Sequence, residues 1–168
     1  VGPGPGPGLP SETYDLAMPI IDAWRDVRTL VVFAGPLASD TLVADLEHRA
    51  AGRNVLVQRT TDDLAGWMAA ADVSISRAGY NTCVDVLATG ARALLVPSAK
   101  MSDQRLRAER FAALGLATML APEALDDLDT ARLDAALKTP RPTPLVVPDR
   151  AGAARSVAAI EALMEPLR

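Results

Sequence analysis

Cysteine, histidine and aromatic residues are scarce in this sequence. Its 168 residues include one cysteine, Cys83, and one histidine, His48, and aromatic residues make up 4% of the chain. A single cysteine can form neither an intramolecular disulfide framework nor a cysteine-based zinc cluster, which fits a reducing compartment. No base can be assigned to Cys83, so we interpret it as a small buried side chain. We interpret His48, which has no companion ligand, as solvated helix surface.

Excess positive charge and long apolar runs are also missing. The formal net charge is −4, so the chain offers no basic stripe for a run of phosphates, and we expect no nucleic-acid partner. No stretch reaches the roughly 20 uninterrupted apolar residues of a membrane span. The N-terminus also lacks the basic region and apolar block of a signal peptide. We therefore expect a cytoplasmic protein without a transmembrane segment, peripheral to a membrane only through a partner.

What the sequence does contain is a regular alternation of apolar strands and helices. Apolar residues make up 49% of the chain, which is enough for one core at this length. Alternating strands and helices require crossover connections, and hence a parallel sheet with helices on both faces. The pattern therefore predicts a single α/β domain with a Rossmann-like sheet. The predicted strands are 29–35, 54–58, 72–76, 91–97 and 116–120, and the main predicted helices are 40–51, 62–71, 81–89, 103–114 and 130–138.

Both ends of the chain depart from this alternation. Residues 1–10 are rich in glycine and proline and predict a loop or linker ahead of a domain over residues 11–168. Ser11 offers an N-cap to a first helix, in which Pro19 must produce a kink or a break. The closing segment predicts an amphipathic helix. We expect its apolar face to dock onto the domain's own sheet, and the alternative is packing against a second domain absent from this chain. The residues of that face are Ala154, Val157, Ile160, Leu163, Met164 and Leu167.

The loop after the predicted strand 72–76 is the most informative for function. In a doubly wound sheet, ligands bind beyond the carboxyl ends of the strands, where loops lead into helix N-termini. Gly79 allows a close approach of the backbone to a ligand, and Asn81 or Thr82 can cap the helix that follows. The N–H groups and the dipole of such a helix suit a phosphate or a diphosphate.

Two charged residues flank this loop. Arg77 carries a donor fork suited to anions, and Asp85 is a carboxylate that can accept hydrogen bonds from ribose hydroxyls. A purely structural interpretation is also open, in which Asn81 and Thr82 only cap the helix and Asp85 improves its dipole by about 0.3–1 kcal/mol. Spacing alone slightly favours that structural interpretation, because a strand, a glycine turn and a capped helix occur in most α/β domains.

A longer set of motifs resembles a known family. The segments SRAGYNT and ARALLVPS, the acidic Asp85 and the glutamine of SDQRLRAERFAALG are similar to the carboxy-terminal domain of family 28-type glycosyltransferases. That group includes the enzyme that adds N-acetylglucosamine to the lipid-linked peptidoglycan precursor. The similarity is closest to predicted bacterial glycosyltransferases that carry the tripeptide Gly-Tyr-Asn. It extends over nearly the whole chain and implies the donor-binding half of a GT-B fold.

The resemblance also implies roles for individual residues. Backbone amides of Gly79, Tyr80 and Asn81 are expected to hold the donor diphosphate. The main chain at Thr61 falls where the family contacts the uracil edge. Gln104 falls on the first of two glutamines that contact sugar hydroxyls.

At three positions the sequence departs from the family pattern. Asp85 replaces the ribose-binding glutamate and is one methylene shorter. Arg105 stands where the second glutamine is expected, and both Arg105 and Arg107 fall close to the predicted sugar site. The family's Gly-rich loop corresponds to Gly2–Gly8, where alternate prolines cannot donate an N–H.

The reaction implied by the resemblance is transfer of a sugar, with N-acetylglucosamine as one candidate, from a UDP-sugar to an acceptor hydroxyl with inversion. The helix N-terminus and Arg77 would stabilise the departing diphosphate. The acceptor site and the catalytic base would belong to an amino-terminal domain or to a separate acceptor subunit. We expect no cofactor and no metal, with the UDP-sugar as donor substrate. NAD chemistry is disfavoured, because no strand leads into GxGxxG with an acidic residue about 20 positions later.

Two other classes of protein stay open as alternatives. A nucleotide-sugar hydrolase or epimerase would need a general acid or base, and no convincing one is found in the sequence. A non-catalytic interaction domain would use the closing helix and the proline-rich stretch 140–148 to bind a partner, and it would not recognise UDP.

Overall fold

Strands and helices alternate along the chain, as the apolar pattern predicts. The structure, a computed structural model, describes residues 10–25, 28–125, 127, 129–138, 141 and 151–164. Predicted helix boundaries agree within about two residues, and the observed strands are shorter than predicted. The elements are α1 Pro10–Ala23, β1 Leu30–Phe33, α2 Asp40–Ala50, β2 Val55–Gln58, α3 Leu64–Ala70, β3 Ser74–Ser76, α4 Tyr80–Thr89, β4 Ala93–Leu95, α5 Ser102–Ala113, β5 Thr118–Met119, a 3-10 helix Pro122–Leu125, α6 Thr130–Lys138 and α7 Gly152–Met164.

The strands form two parallel sheets rather than one. β1 pairs with β2 in one sheet, and β4 pairs with β3 and with β5 in the other. Within the residues that the structure describes, no strand joins β1 to β3. A helix between consecutive strands of a sheet returns the chain to its starting edge, so the strands within each sheet run in the same direction and their carboxyl ends meet at one edge.

Helices cover both faces of the sheet formed by β3, β4 and β5, as predicted, whereas the second face of the β1–β2 sheet is partly open, with Leu56 45% exposed. Neighbouring residues of a strand point to opposite faces, and β4 shows this directly. Leu94 belongs to one apolar cluster and Leu95 to another. The cluster around Leu94 contains buried side chains of α1 and α2 and is called the α1 face. The cluster around Leu95 contains buried side chains of α3, α4 and α5 and is called the α4 face.

Helix α1 is continuous through Pro19, so of the two predicted outcomes, a kink or a break, the break does not occur. It runs from Pro10 to Ala23 with Pro19 inside it, and Ser11 therefore lies within the helix rather than at its N-cap. A proline inside a helix costs about 3 kcal/mol. Burial stabilises the helix by more than this, because a fully buried Leu or Ile side chain contributes about 1.5–3 kcal/mol. The buried side chains of α1 include Leu16, Ala17, Ile20 and Ile21.

The closing helix does not dock onto the domain's own sheet in the described part of the chain. No residue of α7 is buried, and Ile160 and Leu163 of its apolar face are 56% and 75% exposed. The expected docking is therefore wrong for this helix. Helices α1 to α5 already cover both faces of the sheet formed by β3, β4 and β5. The glycine-proline segment 1–9, the proline-rich stretch apart from Arg141, and Leu167 lie outside the described residues.

Candidate functional site

The predicted ligand-binding loop lies between the end of β3 and the start of α4. β3 ends at Ser76 and α4 begins at Tyr80, so the loop consists of Arg77, Ala78 and Gly79 and is called the β3–α4 turn. It leaves the carboxyl end of a parallel strand and enters a helix N-terminus, which is where α/β sheets bind ligands.

Gly79, rather than Asn81 or Thr82, is the N-cap of α4. Its φ of −65° and ψ of 155° are extended, and no side-chain hydrogen bond caps the helix. The predicted caps lie two and three residues too far along the chain, inside the first turn of the helix. The N–H groups of this turn point out of the helix at the positive end of its dipole. They are therefore open to an external acceptor.

The fold itself does not require a glycine at position 79. A Cβ built there would meet Thr82 Oγ1 at 3.7 Å, an ordinary van der Waals distance, and the backbone angles suit any residue. Gly66 differs, because a Cβ there would collide with the carboxylate of Asp63. The missing side chain at Gly79 thus leaves space over the helix N-terminus that a ligand can occupy.

Arg77 braces the β3–α4 turn from inside. Its side chain is buried, with 9% of the residue exposed, and Nη1 donates a hydrogen bond to the carbonyl oxygen of Pro97 at 3.3 Å. This bond ties the segment after β3 to the segment after β4. The guanidinium therefore adds positive charge from within the loop, and the predicted contact of its donor fork with an anion stays a prediction.

Arg107 holds the same turn from α5. Its Nη1 donates to the carbonyl oxygen of Ala78 at 2.6 Å, and its Nη2 donates to Asp103 Oδ2 at 2.8 Å. Its guanidinium carbon also lies 5.8 Å from the centre of the Tyr80 ring, within range of a cation–π interaction. The Arg107 side chain is only 22% exposed, whereas the neighbouring Arg105 pairs with Glu109 on the exposed face of α5.

The side chains at the start of α4 face solvent. Tyr80 is 70% exposed, and Asn81 is exposed as well. The Tyr80 ring lies at the N-terminus of α4 and contacts the Arg107 guanidinium. Because the ring is exposed, it can contact a ligand without rearrangement of the core.

Asp85 is a partly buried carboxylate on α4. Burial raises its pKa above the ordinary range, and no opposing charge lowers it. Among the described residues its carboxylate has no hydrogen bond and no ion pair. The carboxyl of Asp103 behaves in the opposite way, because the hydrogen bond from Arg107 lowers its pKa. Asp85 is thus an acceptor without a donor in the described part of the chain.

Gln104 is turned into the protein in this conformation. The residue is buried, Oε1 accepts a hydrogen bond from Ser98 N at 3.0 Å, and Nε2 lies 3.2 Å from Met101 Sδ. The side chain therefore supports the loop between β4 and α5. The contact with sugar hydroxyls stays a prediction, and it would require Nε2 to exchange the Met101 sulfur for the sugar.

Thr61 lies in the loop between β2 and α3. Its Oγ1 accepts a hydrogen bond from Asp63 N at 3.2 Å, and Asp63 in turn caps α3 through Gly66 N at 2.8 Å. The main-chain N–H of Thr61 has no hydrogen bond within the described residues. Since α3 packs against α4, the loop at Thr61 and the β3–α4 turn precede two neighbouring helices. The uracil contact stays a prediction.

A separate cavity lies between β1 and β3. Its volume is about 390 Å³, and none of the residues predicted to bind the donor lines it. Its walls are largely apolar and include Phe33 and Trp67, whose ring centres are 5.5 Å apart in an edge-to-face arrangement. A diphosphate would lose much of its hydration against these mainly apolar walls. We therefore do not assign this cavity to the nucleotide.

The other candidate side chains are in the surroundings that the sequence predicts for them. Cys83 is buried, and burial raises the pKa of its thiol to about 11 in spite of the opposing charge of Arg107. His48 is exposed on α2. In the part of the chain that the structure describes, no group of three or more His, Cys, Asp or Glu side chains could hold a metal ion. No helix there has the length and apolar character needed to cross a membrane.

Comparison with known proteins identifies the family. Residues 25–160 match the model of the glycosyltransferase family 28 C-terminal domain. The crystal structure of MurG from Acinetobacter baumannii is similar in fold, with a TM-score of 0.67 over 94% of this chain at 22% identity. The match covers 47% of the MurG chain, so this chain spans about half the length of that protein. A search of curated proteins found no match. The family match extends from before β1 into α7, and the chain therefore belongs to the glycosyltransferase family 28 C-terminal domain family.

Proposed function

We propose that this chain is the donor-binding half of a glycosyltransferase and that it binds a UDP-sugar at the β3–α4 turn. The observation that carries the proposal is the open N-terminus of α4, with space over Gly79 that the fold does not require. Membership of the family supports a donor-binding role for the domain.

The diphosphate would bind to the first turn of α4. Three consecutive backbone amides, those of Gly79, Tyr80 and Asn81, lie at the start of this helix. A helix N-terminus attracts anions through these N–H groups and through its dipole. The buried charge of Arg77 and the charge of Arg107 add to the positive potential around the turn.

The ribose would bind to Asp85. Residues four apart on a helix lie on the same face, about 6 Å apart along the axis. Asn81 and Asp85 have this spacing, so a nucleotide that lies along α4 can reach both. Ribose hydroxyls would supply the donors that the carboxylate lacks among the described residues. This would offset the cost of its partial burial.

In the reaction, the bond between the sugar and the diphosphate breaks while the acceptor oxygen bonds to the sugar from the opposite side. The negative charge on the departing UDP is then stabilised by the α4 N-terminus, which is already oriented before the reaction begins. Cys83 is protonated and buried, and His48 lies on α2, so neither is a suitable base. We assign the base and the acceptor site to an amino-terminal domain or a separate subunit, and N-acetylglucosamine is the first sugar to test.

The exposed apolar face of α7 supports such a partner. Val157, Ile160, Leu163 and Met164 are all more than half exposed. A face of this kind requires cover in water, and an acceptor-binding half is a partner that could provide it. This face is also what a non-catalytic interaction domain would use, so nucleotide binding is the observation that separates the two functions.

The decisive experiment is calorimetric titration of UDP into the wild-type chain and into Asp85→Ala, with AMP and NAD as control ligands. We expect saturable UDP binding that weakens at least about tenfold in Asp85→Ala, since a hydrogen bond to a charged group contributes about 1.5–3 kcal/mol. Asp45→Ala, which removes an exposed carboxylate of α2, is the matched control and should bind normally. Failure of UDP to bind at millimolar concentration would refute the donor site and favour an interaction domain.

A further inference from the structure

Tyr80 is a large aromatic side chain at a position where core packing does not require it. It is the first residue of α4, it is 70% exposed, and it belongs to neither apolar cluster. Among the described residues, its hydroxyl has no hydrogen bond. Aromatic residues are also only moderate helix formers. Neither packing nor helix propensity therefore accounts for a tyrosine at this position.

The Tyr80 ring is nevertheless held in place. The Arg107 guanidinium carbon lies 5.8 Å from its centre. That guanidinium is itself fixed by hydrogen bonds to Ala78 O at 2.6 Å and to Asp103 Oδ2 at 2.8 Å. A side chain that is already positioned loses less conformational freedom when a ligand packs against it. The ring is therefore both accessible to a ligand and oriented before the ligand binds.

Tyr80 and Asp85 lie on opposite flanks of α4. An α-helix has 3.6 residues per turn, so residues five apart differ by about 140° around the helix axis. The buried side chains of Cys83 and Val86 lie between these two flanks, toward the core. The contact with Arg107 shows that the Tyr80 flank faces α5. The open N-terminus of α4 thus has a carboxylate on one flank and an aromatic ring on the other.

We propose that Tyr80 binds the donor sugar, with the C–H groups of a pyranose ring packed against its aromatic ring. This inference rests on the proposed function, in which the ribose binds Asp85 and the diphosphate binds the first turn of α4. Because the diphosphate joins the ribose to the sugar, a donor that crosses the helix N-terminus from Asp85 carries its sugar to the Tyr80 flank. The predicted sugar contact at Gln104 agrees with this direction, since Gln104 and Arg107 lie three residues apart on one face of α5.

The chemistry of the ring favours the sugar over the other charged parts of the donor. A pyranose carries C–H groups on the faces of its ring, whereas a phosphate carries negative charge on its free oxygens. The face of an aromatic ring is the negative part of its quadrupole, so it attracts C–H groups and repels phosphate oxygens. Contact with Tyr80 should therefore add to the affinity for a UDP-sugar without adding to the affinity for UDP.

Calorimetric titration of UDP, UDP-glucose and UDP-N-acetylglucosamine into wild type, Tyr80→Ala and Tyr80→Phe tests this role. We expect Tyr80→Ala to weaken the tighter-binding UDP-sugar about fivefold to tenfold, through the loss of roughly 50 Å² of apolar contact. The affinity for UDP should change by less than about twofold, as for an ordinary surface substitution. Tyr80→Phe keeps the ring and should keep both affinities. The control is Val84→Ala, one turn further along α4 and 41% exposed, which should also keep both affinities.

Nuclear magnetic resonance provides a second measurement, which reports the position of the sugar directly. The chain contains two tyrosines, so selective labelling of tyrosine gives a simple spectrum, and Tyr80→Phe assigns the signals of the Tyr80 ring. We expect nuclear Overhauser effects between these ring protons and protons of the sugar, and none between the ring and uracil.

Three outcomes would overturn the proposal while leaving the donor site intact. The first is equal weakening of UDP and UDP-sugar by Tyr80→Ala, which would mean that the ring supports the turn. The second is a Tyr80→Phe variant as weak as Tyr80→Ala, which would assign the effect to the hydroxyl. The third is a nuclear Overhauser effect to uracil in place of the sugar. Absence of UDP binding to wild type would refute the donor site and the sugar contact together.

Discussion

The β3–α4 turn and the cavity between β1 and β3 are neighbours that differ in almost every physical property. The turn is small, it is braced by Arg77 and Arg107, and its helix N-terminus has no side-chain cap. The cavity measures about 390 Å³ and is mainly apolar. Thr82 lines the cavity from the first turn of α4. The difference teaches that an apolar cavity does not by itself mark the ligand site of this domain, because the chemistry suited to a nucleotide lies at the turn.

The largest expected effect is a loss of stability, and it should differ between the closely packed core and the cavity between β1 and β3. Leu95 and Ile75 are buried side chains of neighbouring strands, 0% and 3% exposed, but only Ile75 lines the cavity. Truncation of such side chains to alanine costs about 2–5 kcal/mol of unfolding free energy, and the cost is largest where surrounding packing is complete. We expect Leu95→Ala near the upper end and Ile75→Ala near the lower end, measured by urea denaturation.

A matched control for these two variants is Leu106→Ala, because Leu106 is 61% exposed on α5. It should change the stability by less than about 0.5 kcal/mol. Equal costs for Leu95→Ala and Ile75→Ala would mean that the cavity is already filled in solution.

The second prediction compares alanine substitutions at two glycines, Gly79 and Gly66. Gly79→Ala should leave the free energy of unfolding within about 0.5 kcal/mol of wild type, since the space and backbone angles accept a methyl group. UDP binding should weaken at least about tenfold, or 1.4 kcal/mol, because the methyl group occupies the ligand's approach. Gly66→Ala should do the opposite, with a loss of about 1–2 kcal/mol of stability as the Asp63 cap is displaced.

Denaturation and UDP titration of both glycine variants would decide between the ligand-binding and purely structural interpretations of the turn. Full UDP affinity in a folded Gly79→Ala variant would contradict the ligand-binding interpretation.

The third prediction concerns Arg107 as a positioning residue. Removing its bond to Ala78 and its contact with Tyr80 frees the outer side of the turn, so Arg107→Ala should weaken UDP binding about three- to tenfold, the equivalent of one ordinary hydrogen bond. Arg107→Lys should restore little, because a lysine lacks the guanidinium fork. The control is Arg105→Ala on the same helix, whose exposed ion pair with Glu109 contributes little. Equal affinities for the two alanine variants would exclude a positioning role.

Local sequence patterns predicted most of the helices and strands. They did not predict features that depend on contacts between distant parts of the chain. The bounds of α6, Thr130–Lys138, follow from spacing within one segment. The separation of β1 from β3 is a matter of pairing between strands that are distant in sequence, which no local pattern reveals. Likewise, the position of α7 depends on whether the sheet still has a free face.

The site was predicted at the level of the turn but not of each side chain. Residue preferences indicated Asn81 or Thr82 as caps, and Gly79 took the position because the helix starts earlier. Helical periodicity could have predicted that Arg107 faces the protein, since it lies three residues after the buried Gln104 and one before the buried Ala108. Because Arg107 stands in a run of charged residues, its position on the partly buried face of α5 was not recognised from the sequence. The inward orientation of Gln104 depends on the loop at Ser98, which spacing does not describe.

The smallest expected effect is a pH dependence that the turn should show and the cavity should not. Burial raises the pKa of Asp85, so its folded pKa lies above its unfolded pKa. The free protein should therefore lose a small amount of stability as the pH rises through the folded pKa, because a partly desolvated charge forms. Asp85→Asn should remove that loss. Ribose hydroxyls favour the charged form, so UDP binding should release a proton and weaken as the pH falls through the raised pKa.

Titration of UDP in two buffers of different ionisation enthalpy measures this proton release near the pKa of Asp85. UDP has its own titrating phosphate, so the informative quantity is the difference between wild type and Asp85→Asn. An identical release from both proteins would remove Asp85 from the nucleotide site. A release found only with wild type would place the ribose at α4, and it would do so whatever the cavity between β1 and β3 contains, because Asp85 does not line that cavity.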